Sequence, residues 1–154
     1  MAAISAELRG RTLVAGWIHG DLWPANVLFR RDEFVVSGIV DWDSAGNSEL
    51  ALHDRLHLAL TTRRLVERKE LGPVLIELLT GGGWTDDDRV VLGAHAEPID
   101  EIEEGAEIRS GLSVRTGLWL FWLRFVESNL ARHPGLATDR AWMVANVERV
   151  IACA

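Results

Sequence analysis

The sequence is poor in cysteine and has no long uninterrupted apolar run. Cys153 is the only cysteine among 154 residues, so no internal disulfide can form and nothing indicates an oxidising compartment. The start of the chain carries a glutamate and two arginines before any long apolar run, which is not the pattern of a signal peptide. The most apolar stretch, 117–126, is interrupted by Arg124 and is too short to span a bilayer. These absences predict a cytoplasmic protein without a membrane partner.

Basic residues are also scarce. The formal net charge is −7, and of the 16 basic residues only Lys69 is a lysine. A nucleic-acid-binding protein would need a basic surface, so the charge argues against such a partner but is compatible with a cationic substrate. The length suits one domain, and the sequence has no internal repeat, which predicts a single domain over 1–154.

The apolar pattern predicts a mostly helical α+β fold, in which a small β-hairpin is followed by a helical bundle. A polar turn at 31–33 separates two stretches rich in Val, Ile and Phe, which favours a hairpin. From Glu49 onward the pattern is helical, with Gly81–Gly83 as a stop, Thr85 and Asp88 as a capping box, and Thr138 as a further cap. The predicted strands are 26–30 and 34–42, and the predicted helices are 2–9, 50–60, 64–80, about 110–132 and 138–151.

Two polar clusters flank the predicted hairpin. His19, Asp21 and Asn26 lie in the segment WIHGDLWPANVLF, and Asp41 and Asp43 lie at the end of the second strand. Phosphoryl transfer needs a carboxylate that orients an attacking hydroxyl and oxygen ligands that hold Mg²⁺ on the nucleotide phosphates. A hairpin would bring Asn26 and Asp41 to the same edge, with Asp21 facing that edge.

The segments HGDLWPANVLF (19–29) and GIVDWDSAG (38–46) resemble the catalytic and metal-binding segments of the aminoglycoside phosphotransferase and choline kinase superfamily. The resemblance implies that Asp21 is the catalytic base and that Asn26 and Asp41 are Mg²⁺ ligands. It further implies a kinase-like C-terminal lobe, with the hairpin carrying the active-site loop. The expected activity is transfer of the γ-phosphate of ATP or GTP to a hydroxyl of a small substrate.

The same resemblance suggests supporting roles for other residues. His19 is expected to brace the loop, and Asp54 resembles the buried aspartate that ties this loop down. Trp42 takes the place of the phenylalanine in the kinase DFG motif. Asp43 is either a second acid behind the metal ligands or an ordinary turn residue, and the turn interpretation is slightly favoured.

The parts of a first kinase lobe are missing from the sequence. There is no G-x-G-x-x-G or G-K-[ST] pattern, and Lys69 follows the motifs, in a charged stretch (63–70) expected to be a solvated helix face. The sequence therefore resembles a catalytic lobe without its nucleotide-binding lobe, and the isolated chain is expected to be nearly inactive. An N-terminal lobe as a partner, or a homo-oligomer, is expected to cover the exposed surface.

Other interpretations stay open at this point. The chain is alternatively a truncated or degenerate lobe that acts as a non-catalytic binding module, or a metal-dependent hydrolase that uses the same acids. His53 and His57 have the spacing of zinc ligands on a helix, but a zinc protease would have Glu, not Asp, after the first histidine. The acidic segment 86–107 suits a cationic acceptor such as an aminoglycoside, or is simply solvated.

Overall fold

The computed structural model describes residues 2–33, 35–86, 88 and 112–154. Its helices and strands form a mostly helical α+β fold, as the sequence predicts. In chain order they are α1 (Ala2–Leu8), β1 (Gly16–Ile18), β2 (Val27–Phe29), β3 (Val36–Ile39), β4 (Gly46–Glu49), α2 (Leu52–Glu67), α3 (Leu71–Leu79), α4 (Val114–Arg132), α5 (Arg140–Met143) and α6 (Arg149–Ile151). A π-helical segment, Val144–Glu148, joins α5 to α6, and 3-10 turns occupy Pro24–Asn26 and Pro134–Ala137.

The core lies between helices α2, α3 and α4. Leu52, Leu56 and Leu60 recur every four residues, which places them on one buried face of α2. They pack with the apolar faces of α3 and α4, and Ile4 brings the short α1 into the same cluster. The fully buried members include Leu71, Val74, Leu75, Leu112, Leu118 and Trp119. No helix in the described part of the chain is both long and apolar enough to cross a membrane.

The β2–β3 hairpin confirms the predicted pairing, although both strands are shorter than expected. Val27 lies opposite Ile39 and Phe29 opposite Val36 in an antiparallel register. A second two-stranded sheet, in which β1 pairs antiparallel with β4, was not predicted. Because β4 ends at Glu49, the prediction that the chain is helical from Glu49 onward is wrong for this first residue. The sequence GNSE of β4 has no apolar alternation, which is the signal by which strands are recognised.

Helix boundaries between residues 60 and 80 also differ from the prediction. Helix α2 continues to Glu67 and ends at Arg68, whose φ of 54° is left-handed. The predicted helix over 64–80 is therefore two helices, and Lys69 lies in the break between them. The expected solvated face is wrong at Arg63, whose side chain is 9% exposed and ion-paired to Glu67 and Glu77.

The capping predictions have mixed outcomes. Thr85 and Asp88 form the predicted capping box, because each backbone N–H donates to the other residue's side chain, at 3.0 and 3.1 Å. The prediction for Thr138 is wrong: Asp139 is the N-cap and accepts from Trp142 N, whereas Thr138 Oγ1 donates to Gly135 O. An aspartate one residue later is the better cap, because its carboxylate also interacts favourably with the helix dipole.

Helix α4 ends at Arg132, just before Pro134, as predicted. Ser113 caps its start and shares Glu7 of α1 with Thr116, so one carboxylate joins the first helix to the longest one. The first two residues of the predicted helix over 110–132, and most of the acidic segment 86–107, lie outside the described residues.

Candidate active site

His19 lies at the centre of the candidate site and is 2% exposed. Its Nε2 is 2.8 Å from Val40 O, and its Nδ1 accepts a hydrogen bond of 3.3 Å from Asp21 N. Because a carbonyl can only accept and an N–H can only donate, these contacts assign the ring proton to Nε2. One imidazole therefore fixes the loop that carries Asp21 against the end of strand β3.

Asp54, in the first turn of α2, connects this loop to the helical part of the molecule. Its Oδ2 accepts from His19 N at 2.6 Å and its Oδ1 from Gly20 N at 2.9 Å. Both carboxylate oxygens thus satisfy successive backbone donors, and hydrogen bonds to an ionised acceptor are the stronger kind. Helix α2 therefore sets the position of the His19–Asp21 loop.

Gly20 allows the loop to approach the rest of the molecule closely. Its φ is 80°, and a Cβ at this position would lie 2.1 Å from Ser44 O. Arg124 of α4 contacts the same turn, with Nη1 donating to Gly20 O at 3.3 Å and Nε donating to Glu49 Oε2 at 3.2 Å. The HGD sequence consequently requires a glycine for both backbone conformation and space.

The structure brings Asp21 and Asn26 together through the 3-10 turn. Asn26 is 6% exposed, and its Nδ2 donates to Asp21 O at 3.0 Å. His57 of α2 approaches the acid from the other side, with Nδ1 at 3.7 Å from Asp21 Oδ1. The side chain of Asp21 thus lies between the catalytic-loop segment and helix α2.

Asp41 follows the hairpin at the same end. Val40 N donates to Asn26 O at 3.0 Å, so Asp41 is one residue beyond the backbone pair that contains Asn26. Its φ of 67° is in the left-handed region, which is uncommon for a residue with a side chain and is more frequent at functional sites. Asp43 is exposed and makes no hydrogen bond or ion pair within the described residues.

Trp42 connects the two sequence clusters. Its ring lies 4.7 Å from the His19 ring, centroid to centroid, at an interplanar angle of 50°. Its Nε1 donates to Ile39 O at 2.9 Å. The DWD segment is therefore packed on the HGD segment, and the loop, the hairpin end and the start of α2 form one assembly.

A cavity of about 280 Å³ opens beside Asp21, between helices α2 and α4. Trp23, Leu71 and Phe121 supply part of its apolar lining. Its titratable and charged lining residues are Asp21, His53, His57, Arg64, Arg124 and Arg132. The acid predicted to be catalytic thus faces a pocket large enough for a small molecule.

Burial lowers the pKa of both histidines in this cavity below the ordinary 6.5. For His53 the Arg124 charge adds to the effect of burial, and Glu49 opposes it. For His57 the carboxylates of Asp21 and Asp54 oppose burial without overcoming it. Both imidazoles are therefore largely neutral at pH 7, and the positive charge of the cavity comes from its arginines.

Asn26 and Asp41, at the hairpin end, both carry oxygen atoms of the kind that a hard cation binds. Because Asn26 Nδ2 is used in donating to Asp21 O, the amide presents Oδ1 as its remaining polar atom, and Asp41 adds a carboxylate. Such oxygen ligands suit Mg²⁺, which keeps most of its waters and leans on substrate phosphates. Over residues 2–33, 35–86, 88 and 112–154, no three His, Cys, Asp or Glu side chains are grouped to hold a metal.

Comparison with known families decides the class of protein. The model of the phosphotransferase enzyme family (APH) matches residues 1–89, more than half of the chain. The chain belongs to this phosphotransferase family. Membership confirms the resemblance to the aminoglycoside phosphotransferase and choline kinase superfamily and indicates phosphotransferase activity in general. Neither a curated protein nor a solved structure matches the chain.

The site of this phosphotransferase family member contains residues that the motifs did not reveal. Arg124 interrupts the apolar stretch 117–126, and a charge inside a buried helix face is a signal that it serves a polar site. His53 and His57 are four residues apart, and that spacing does place both on the cavity side of α2. No sequence pattern around Arg132 or Arg64 predicts that they belong to the site, because only the packing of α4 against α2 brings them together.

Proposed function

We propose that the chain is the catalytic lobe of a small-molecule kinase that transfers the γ-phosphate of ATP or GTP to a hydroxyl group. The observation that carries this proposal is the cavity beside Asp21, in a chain of the phosphotransferase family. An acceptor in this cavity would present its hydroxyl to the Asp21 carboxylate. A carboxylate that orients the hydroxyl and accepts its proton is one of the parts that this chemistry uses.

The proposal gives a role in the reaction to Asp21, Asn26 and Asp41. Asp21 orients the acceptor hydroxyl and takes its proton, while Asn26 Oδ1 and the Asp41 carboxylate would hold Mg²⁺. The ion, when bound, neutralises charge on the nucleotide phosphates. The hydrogen bond from Asn26 Nδ2 to the backbone O of Asp21 links the residue proposed as the base to the residue proposed as a metal ligand.

His19 and Asp54 are positioning residues in this proposal. They contact backbone and loop atoms, at 2.6–3.3 Å, and not a reacting group. His57 lies behind Asp21 and limits its rotation from the α2 side. Asp43 is exposed and makes no polar contact in the described chain, and the proposal gives it no role in the reaction.

A nucleotide-binding lobe is proposed to cover the hairpin. The hairpin patch consists of exposed apolar side chains, of which Phe29 is 54% and Trp42 53% exposed; the others are Leu28, Val36 and Ile39. Phe29 and Val36 lie opposite each other in the hairpin, so these two form one exposed apolar surface, and such surfaces mark interaction sites. Sedimentation velocity should show self-association of the isolated chain that Phe29→Ser reduces, whereas a monomer that binds no hydrophobic dye would contradict this part of the proposal.

The decisive experiment measures Mg²⁺-dependent transfer of labelled γ-phosphate from ATP and from GTP to a panel of hydroxyl acceptors. It compares the 154-residue chain with the same chain joined to a nucleotide-binding lobe from the family. We expect very low transfer by the first and transfer by the second, because positioning of the phosphates supplies much of the catalysis. Asp21→Asn should reduce transfer by about 10²–10⁴-fold, the usual contribution of a general base.

Lys69→Ala is the matched control, because the Lys69 amine is held by Glu67 and Glu77 at 2.8 and 2.7 Å, away from the loop. Its rate should stay close to that of the unchanged protein. Transfer that survives Asp21→Asn would refute the assignment of the base. Nucleotide binding without transfer would favour a non-catalytic module, and release of phosphate without an acceptor product would favour a hydrolase.

A further inference from the structure

The charge inside the cavity beside Asp21 is opposite to what a cationic acceptor needs. Three arginines, Arg64, Arg124 and Arg132, line the described part of the cavity, and Asp21 is the one carboxylate in that lining. Burial lowers the pKa of both cavity histidines, so they neither add to nor cancel this charge at neutral pH. A polycation would therefore be repelled, although the protein as a whole has a net charge of −7.

Two of these arginines have no acidic partner in the described chain. Arg124 is paired with Glu49, and its charge is partly compensated. Arg132 donates to the hydroxyl of Ser44 and to no carboxylate. No hydrogen bond or ion pair of the Arg64 guanidinium occurs within the described residues, although the nearby Arg63 is paired to three acids. Arg64 and Arg132 are both exposed residues, and they contribute to the cavity lining two positive charges that no acidic side chain of the described chain neutralises.

A buried ring nitrogen without a partner in the same cavity gives a second, independent indication of a ligand. His53 is 8% exposed, and its Nε2 makes no hydrogen bond to the described protein. Its Nδ1 is 3.4 Å from Glu49 Oε2, so only Nε2 is without a neighbouring polar group. A buried polar atom left without a partner costs free energy, and a bound molecule that supplies the partner removes this cost.

We propose that the acceptor of this site is a small anionic hydroxyl compound, in which a carboxylate or phosphate group accompanies the hydroxyl. Arg64 and Arg132 bind the anionic group, His53 hydrogen-bonds to the body of the molecule, and the hydroxyl faces Asp21. Guanidinium groups suit carboxylates and phosphates because they donate in a planar fork. The identity of the reaction rests on the proposed function, but the anion site can be tested apart from it.

The size of the cavity favours the same class of acceptor. At about 280 Å³ it is slightly below the roughly 300–1,000 Å³ of pockets that take drug-sized ligands. A compound of a few carbons fits this volume better than a molecule of several sugar rings. Size and charge thus both favour a small hydroxy acid or hydroxyalkyl phosphate over an aminoglycoside.

The test is a titration of the 154-residue chain with D-glycerate, followed by NMR of the arginine and tryptophan side-chain N–H groups. Glycerol is the matched probe without the carboxylate, and an aminoglycoside is the cationic probe. We expect glycerate to bind at least about tenfold more tightly than glycerol, as a charge-assisted contact allows. Equal binding of glycerate and glycerol, or tighter binding of the aminoglycoside, would overturn the proposal.

Substitutions then locate the site. Arg64→Gln with Arg132→Gln should weaken glycerate binding about tenfold or more, while glycerol binding should change little. Arg149→Gln is the control, because Arg149 is an exposed arginine of α6 that is not among the cavity's lining residues. A double variant that binds glycerate as well as the control does would show that the anion lies elsewhere.

The anion could also be a nucleotide phosphate, and a competition experiment separates the two sources. In the chain joined to a nucleotide-binding lobe, Mg²⁺–ATP at a concentration that saturates the nucleotide site should leave glycerate binding intact, because the arginines serve the acceptor. Displacement of glycerate by Mg²⁺–ATP would assign the arginines to the nucleotide and refute the proposal. Asp21→Asn separates this inference from the proposed function: glycerate should bind the variant at least as well as the unchanged protein. Transfer only to uncharged or cationic acceptors would remove the inference and leave the kinase assignment standing.

Discussion

Apolar side chains on the facing sides of helices α2, α3 and α4 are buried, whereas most of those in the β2–β3 hairpin are exposed. Leu56, Leu75 and Trp119 are each no more than 2% exposed, whereas Phe29 is 54% exposed. The loop before the hairpin and the turn after it are instead fixed by polar contacts from the helices. Asp54 holds the loop backbone, Arg124 contacts Gly20, and Arg132 contacts Ser44. The packed helices thus stabilise the fold. Three polar side chains on these helices, Asp54, Arg124 and Arg132, hold the site in position.

This difference predicts that stability and function respond to different substitutions. A change in the helical core should lower the free energy of unfolding of the whole chain. A change in the polar contacts should disturb the loop more than the core, because few apolar contacts depend on it. Regions with few buried contacts open locally at a smaller free energy than the core does.

The largest effect is expected from Leu75→Ala in α3. Leu75 is fully buried, so the substitution leaves a cavity and should lower the free energy of unfolding by about 2–5 kcal/mol. Leu65→Ala in α2 is the control, because Leu65 is half exposed and should cost about 0.5 kcal/mol or less. Urea denaturation followed by circular dichroism gives both values. Equal losses would mean that α3 is not part of the cooperative core.

The next largest effect concerns the hydrogen bonds between helix α2 and the loop that carries Asp21. Asp54→Ala removes the acceptor of the His19 and Gly20 N–H groups and should lower the free energy of unfolding by about 1.5–3 kcal/mol. Hydrogen exchange should accelerate at residues 19–26 more than in α3. Asp43→Ala, at an exposed position without polar contacts in the described chain, should change neither quantity. Uniform acceleration over the whole chain would show that the two parts are not separable.

The sequence predicted the parts whose signals are local. The turn at 31–33 predicted the hairpin, and the Thr85–Asp88 spacing predicted the capping box. The motif spacing indicated the family, which the match to residues 1–89 confirms. The catalytic and metal-binding roles of Asp21, Asn26 and Asp41 stay predictions.

The features that the sequence did not predict depend on contacts distant along the chain. The β1–β4 sheet joins residues about 30 apart through short strands without apolar alternation. The break after α2 depends on the left-handed Arg68, a conformation that sequence patterns usually assign to glycine or asparagine. The arginines of the cavity come from α2 and α4, and no local pattern reports that these helices meet beside Asp21.

Gly10 and Gly20 allow the stability cost of a left-handed backbone to be separated from the cost of steric crowding. Gly10 and Gly20 have similar φ values of 74° and 80°, but a Cβ meets no atom within 4 Å at Gly10 and lies 2.1 Å from Ser44 O at Gly20. Alanine at either position has the cost of a left-handed residue, about 1–2 kcal/mol. Gly20→Ala should cost about 1–3 kcal/mol more than Gly10→Ala, because the loop must also move. Equal losses of stability for the two variants in thermal denaturation would indicate that Ser44 moves away from the added Cβ without a measurable cost in free energy.

The smallest expected effect is a dependence of stability on pH that originates at the cavity. Burial is the largest of the causes that lower the pKa of His53 and of His57 below their ordinary 6.5. When the pH falls below 6.5, the unfolded chain binds protons at these positions before the folded chain does, which favours unfolding. Their contribution to stability is therefore complete above pH 6.5 and is lost as the pH falls from 6.5 through the lowered folded pKa values.

The measurement is the free energy of unfolding in urea between pH 7.5 and pH 5, above the range in which carboxylates such as Glu7, whose pKa is also lowered, begin to titrate. The free energy should decrease toward pH 5, and the decrease should be smaller in the double variant His53→Gln, His57→Gln. His133→Gln, at an exposed position after α4, should keep the full decrease. The informative quantity is the slope of the free energy of unfolding against pH, because either glutamine can shift the absolute stability by altering packing. A double variant with an unchanged slope would mean that these two imidazoles titrate alike in the folded and unfolded chains, and the neutral cavity histidines assumed for the acceptor site would then be charged near pH 6.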